Sequence, residues 1–139
     1  MRCYAVLDTN IIVSALLSAK PDSTTVLVVQ QLFSDRFQPV VSKEILAEYA
    51  EVLHRSKFHF SPELVGDFLT AFAEKAVLIE PTPTGETLPD MKDLPFYEVV
   101  METREDNSYL VTGNIKHFPT KPFIVTAREF LNILDEQRN

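Results

Sequence analysis

The sequence predicts an α/β fold: a parallel sheet with helices on both faces. Three observations carry this. Short apolar runs recur along the chain. Amphipathic stretches of helical length separate successive runs. Cap- and turn-forming residues stand at the junctions. No internal repeat and no change of composition divides the 139 residues, so they read as a single domain, 1–139.

The first run, Cys3–Leu7, ends at Asp8 and reads as a buried strand, followed by a helix over Ile11–Leu17. Val26–Phe33 fits either element; Asp22 and Ser23 ahead of it as caps, with Pro21, decide for a helix. Phe37–Val41 is a second strand. Ser42 caps a helix from Lys43 to about His54, and Ser61-Pro62-Glu63 opens another with Pro in its first turn. Ala76–Glu80 is a third strand. Residues 81–89, Pro-Thr-Pro-Thr-Gly-Glu-Thr-Leu-Pro, form a loop. A helix runs from about Pro95 to Arg104, a strand from Tyr109 to Thr112, and a last strand from Phe123 to Val125. Thr126-Ala127-Arg128-Glu129 is a capping box that opens the C-terminal helix.

The composition narrows the function. Thirteen Lys and Arg stand against 20 Asp and Glu, a net charge of -7. That excludes a broad basic face for nucleic acid but not a polyanionic substrate held through a metal. One cysteine, Cys3, excludes an internal disulfide framework and a Cys-based zinc site. Three glycines leave no room for a glycine-rich phosphate loop. The first apolar run stops too early for a signal peptide and no stretch spans a membrane, so a cytoplasmic protein is expected.

In such folds ligands bind outside the carboxyl ends of the strands. Asp8-Thr9-Asn10 follow the first strand. The Ser42 helix carries Glu44, Glu48 and Glu51. Asp90, Asp93 and Glu98 precede the fourth strand, and Thr112-Gly113-Asn114 close it. Each acid alone has an ordinary reading. Asp8 and Asp93 suit helix starts, Asp90 suits a loop, and Glu98 points away from the Phe96/Val99/Val100 face into solvent. Glu48 sits at the edge of the arc formed by Ile45, Leu46, Tyr49, Val52 and Leu53, so it is either solvated or bound to something. Together they are a set of hard oxygen donors, which repel unless a cation lies between them and which suit Mg²⁺ or Mn²⁺. No histidine is placed for zinc. Residues 86–106 alone hold seven acids against two bases, so the excess charge centres on Asp93.

These segments resemble, in order and over nearly the whole chain, the motifs of the PIN-domain nucleases, and within them the toxin components of toxin–antitoxin systems. The matching segments are Val6–Ser18, Val41–Tyr49 with Val52–Phe58, Asp90–Phe96 and Leu110–Asn114, with Thr126–Leu134 as the usual C-terminal helix. The resemblance implies a three-layer α/β/α sandwich around four or five parallel strands. It also implies an endoribonuclease dependent on Mg²⁺ or Mn²⁺, with Asp8, Glu48 and Asp93 as catalytic and metal-binding acids. Asn114 stands where many relatives have Asp; it keeps an oxygen ligand but loses a charge, and Asp90 is a candidate to compensate. Asn10 would orient Asp8 or touch the substrate, and Thr9, Ser14 and Thr112 would line the substrate site. RNA as substrate, a small antitoxin as inhibitor and a homodimer are implied as partners. The Ile11–Leu17 and Val26–Phe33 segments are candidates for the dimer interface, though core is the plainer reading for most of their residues. Arg55, Lys57 and Lys116 are candidates for guiding phosphate.

Two other readings compete. A phosphotransfer domain also places Asp after a strand, but needs a second acid beside it and a Lys after a later strand. Here Asn10 and Thr112–Asn114 hold those places. A PIN-like module that binds without cutting is motivated by Asn114.

Overall fold

The computed structural model describes residues 2–137; Met1, Arg138 and Asn139, at the ends of the expected 1–139 unit, lie outside the described residues. Five strands form the sheet: β1 (Tyr4–Leu7), β2 (Gln38–Val41), β3 (Val77–Leu78), β4 (Ser108–Val111) and β5 (Ile124–Val125). Their order is β3-β2-β1-β4-β5 and every pairing is parallel. Six helices connect them: α1 (Thr9–Leu17), α2 (Thr24–Phe33), α3 (Lys43–Leu53), α4 (Pro62–Lys75), α5 (Leu94–Thr103) and α6 (Ala127–Gln137). The expected α/β architecture and strand number are those observed.

The helices fall into two sets. α5 packs on β1, β2 and β4, α4 packs on β2, and α3 joins both helices. Opposite them, α6 packs on β4 and on α2, and α2 packs on α1. The core is Val6, Leu7, Val40, Val41 and Leu110 from the sheet, with Ile12, Val28, Leu32, Ile45 and Phe130 from the helices. An aromatic cluster ties the α3 set together: the Tyr49 ring meets Phe72 edge-on at 5.4 Å and Phe96 at 6.3 Å. Ile11, Ile12 and Val13 of α1 and Val28 and Leu32 of α2 belong to this core, Leu16, Leu27 and Phe33 pack against it partly buried, and Leu17 is exposed. Cys3 is buried, and burial pushes its thiol up to about 11.

Local sequence sets the helix starts. Ser42 accepts the Ile45 amide at 3.3 Å, and Ser61 accepts the Leu64 amide at 3.0 Å. The Thr126–Glu129 capping box forms in both directions, at 2.8 and 3.1 Å. The expected cap on α2 does not form: Ser23 occupies the N-cap position, but its buried hydroxyl has no partner among the described residues. The third strand is trimmed most, from Ala76–Glu80 to Val77–Leu78, because it is an edge strand whose ladder has only β2 as neighbour. α1 begins at Thr9 rather than Ile11, immediately after extended Asp8.

The expected loop at residues 81–89 is pinned along α5. Glu98 accepts the Thr84 amide at 2.6 Å and its hydroxyl at 3.1 Å, and Glu102 accepts the Thr82 amide at 2.7 Å. Glu98 is therefore a clasp, which corrects its reading as a free solvated acid. No helix among the described residues is long and apolar enough to cross a membrane.

Candidate active site

In the order β3-β2-β1-β4-β5 the chain first steps from β1 to one side, then returns to build the other. The reversal lies between β1 and β4, and such a switch point opens a crevice beyond the strand ends. Asp8 ends β1 there, and its amide bonds the Val111 carbonyl at 3.0 Å. Thr112 ends β4. Its hydroxyl donates to Asp8 Oδ2 at 2.7 Å and accepts the Asn114 amide at 3.0 Å. With its lone pair engaged by that N–H, the Thr112 proton is directed at the carboxylate. Thr112 is fully buried and Asp8 is only 5% exposed.

Asp8 has the N-cap position of α1, but its side chain makes no capping hydrogen bond. Burial raises its pKa. The Thr112 hydrogen bond, the nearby Thr9 and Asn10 amides and His117 oppose that rise. Asp93 behaves alike at the start of α5: it makes no cap, and its pKa rises to about 6 through burial and then the charges of Asp8 and Asp90. His117 offsets part of that shift, with Nδ1 3.4 Å from Asp93 Oδ2.

Glu48 joins from α3. Its Oε2 accepts the hydroxyl of buried Thr9. Tyr49, the next residue, is buried and donates its phenol to the Leu7 carbonyl at 2.5 Å, fixing α3 over the end of β1. Burial, then the charges of Asp8 and Glu48, raise the Tyr49 pKa far above its ordinary value, so it stays a donor.

Asp8, Glu48, Asp93, Thr9 and Thr112 thus share one neighbourhood. The other expected site residues stand differently. Asp90 is exposed and accepts the Lys92 amide at 3.0 Å. Asn10 and Asn114 are exposed. Ser14 faces α2, with its hydroxyl 3.0 Å from that of Thr25. Sequence reasoning missed the partnership of His117 with Asp93, and gave Tyr49 only an apolar role because it falls on the buried arc of α3.

The donor set suits a hard divalent cation. Each of the three acids uses one oxygen for its side-chain bond, Asp8 Oδ2, Glu48 Oε2 and Asp93 Oδ2, and no side-chain hydrogen bond among the described residues engages the other oxygen. No three His, Cys, Asp or Glu side chains among the described residues are gathered closely enough to ligate one ion together. Mg²⁺ does not need that, since it keeps several waters and takes one or two carboxylates.

A family model described as PIN domain matches residues 4–116, which include β1 through β4 and all of these residues except His117. No curated protein matches the chain. The match covers most of the sequence, and the chain belongs to the PIN domain family, whose members are generally metal-dependent nucleases.

Proposed function

We propose that this protein is an endoribonuclease dependent on Mg²⁺ or Mn²⁺ and the toxin of a toxin–antitoxin pair, working in the cytoplasm as a homodimer. One observation supports the reading most: Asp8 is buried at the switch point, oriented by the Thr112 hydroxyl, and shares its surroundings with Asp93 and Glu48. Buried acids that oppose one another cost stability, and a bound cation removes that cost.

Of Asp8, Glu48 and Asp93, one or two carboxylates would hold the metal directly and the others would meet its bound waters, with Asn114 and Asp90 as further oxygen donors to that water shell. The ion supplies positive charge toward a phosphodiester and acidifies its bound water. The chain's own groups do the positioning. Thr112 holds Asp8 in one orientation and Thr9 does the same for Glu48. Tyr49 keeps α3 at a fixed height over β1. Asn10, at the start of α1, and Ser14, one turn further along it, are proposed to meet the RNA backbone. A small antitoxin would inhibit by covering the acidic crevice.

The test is incubation with RNA and Mn²⁺ or Mg²⁺, repeated with Asp8→Ala, with Asp93→Ala and with EDTA. All three should abolish cleavage; cleavage that survives them overturns the reading. A second reading, a module that binds without cutting, draws on Asn114. Metal-dependent turnover lost in Glu48→Gln excludes it.

A further inference from the structure

We propose that the turn after α3, residues 54–60, is a docking platform for single-stranded RNA, which stacks a base on Phe58 and meets its phosphates with Lys57 and Arg55. This rests on the ribonuclease reading and adds where the substrate is gripped. The segment His54-Arg55-Ser56-Lys57-Phe58-His59-Phe60 contains no acid, in a chain of net charge -7. Phe58 and Phe60 are half-buried, with rings stacked at 5.8 Å and 20°. Their stacking depends on His59, whose φ of 59° is left-handed and turns the chain back so that residues two apart meet. A side chain other than glycine held there stores strain, which clusters at functional positions.

One cation lies against the rings and a second stands two residues before it in the turn. Lys57 is exposed, with Nζ 5.1 Å over the Phe58 ring. A base arriving on that face displaces the ammonium toward the flanking phosphate, exchanging one cation–π contact for stacking plus an ion pair. Arg55 bonds Glu51 through Nε at 3.2 Å and through one terminal nitrogen at 2.8 Å, which leaves its remaining N–H groups outward. The platform adjoins the crevice: Glu48 lies on α3 about 8 Å along the axis from its last residue, and its charge reaches Arg55, whose pKa is raised first by the hydrogen bond to Glu51. The turn and Glu48 are thus less than two helical turns apart along α3.

The test is fluorescence anisotropy of a labelled twelve-nucleotide oligo(U) in EDTA, which needs no cleavage, over about 50–200 mM salt. Lys57→Ala should weaken binding several-fold and lower the salt slope by about 0.7, the share of one contact to a single strand. Lys57→Arg should restore both. Phe58→Leu keeps an apolar side chain beneath the turn and should weaken binding roughly 5- to 150-fold. A duplex of the same length, its bases already stacked, should bind more weakly. Unchanged affinity and slope in Lys57→Ala, which is exposed and leaves folding intact, overturn the proposal. So does duplex binding equal to single-strand binding. Absence of oligo(U) binding also overturns it and leaves the turn to a protein partner. Variant-sensitive binding without any Mn²⁺-dependent cleavage keeps the platform and removes the ribonuclease reading; cleavage with variant-insensitive binding does the reverse.

Discussion

Replacing Asp93 with asparagine should stabilise the metal-free protein. The Asp93 pKa rises from 3.8 to about 6 because burial and the Asp8 and Asp90 charges disfavour its anion, even after the relief from His117. Each pKa unit is worth about 1.4 kcal/mol, so the unscreened penalty on the folded state near neutral pH is about 3 kcal/mol. The side chain is 18% exposed, and solvent screening reduces that to roughly 1–2 kcal/mol. The sign follows from linkage. Between pH 3.8 and 6 the folded state binds more protons than the unfolded one, so stability falls as pH rises through that window and the full penalty is present above it. Asp93→Asn removes the titrating group. In EDTA at pH 7.5 its Tm should exceed that of the parent by roughly 3–8 °C, and the gap should close as pH drops toward 3.8. Adding Mn²⁺ should raise the parent more than the variant, since a ligand of the folded state stabilises it. The assay is scanning calorimetry across pH with and without metal. A variant no more stable than the parent at pH 7.5, or a gap that ignores pH, refutes the reasoning.

Three further outcomes can be measured. Thr112→Val removes the donor to Asp8 and the acceptor for the Asn114 amide; metal affinity by titration calorimetry, or nuclease activity, should drop on the order of 10- to 100-fold. Tyr49→Phe takes away the buried phenol that serves the Leu7 carbonyl, which should lower unfolding free energy in urea by about 1–2 kcal/mol with an unchanged m-value. Ser61→Ala deletes the α4 cap and should cost about 1 kcal/mol, read as a lower urea midpoint.

Much of the fold is legible because its signals are local. The run ending at Asp8, the caps at Ser42 and Ser61 and the box at Thr126 each occupy a few adjacent residues, and each forms as read. Strand order is not local: nothing in Val6 or Leu110 says that β1 lies beside β4, so the crevice between them emerges only in three dimensions. The site divides in the same way. Strand-end position pointed to Asp8 and helical phase to Glu48. The bonds from Thr9 to Glu48, from His117 to Asp93 and from Thr84 to Glu98 join segments with no shared periodicity. Tyr49 was hidden for a different reason, since a phenol on a buried arc gives the same pattern whether or not its hydroxyl has work to do.

The Thr112–Asp8 bond closes across 104 residues of chain. During synthesis Asp8 precedes Thr112 and stays without that partner until β4 has been made and has taken its place beside β1. An incomplete or nicked chain lacking β4 cannot hold the Asp8 carboxylate in its final orientation. The orientation of that carboxylate is thereby coupled to the assembly of the second half of the sheet, so the crevice takes its final form only when β4 is in place.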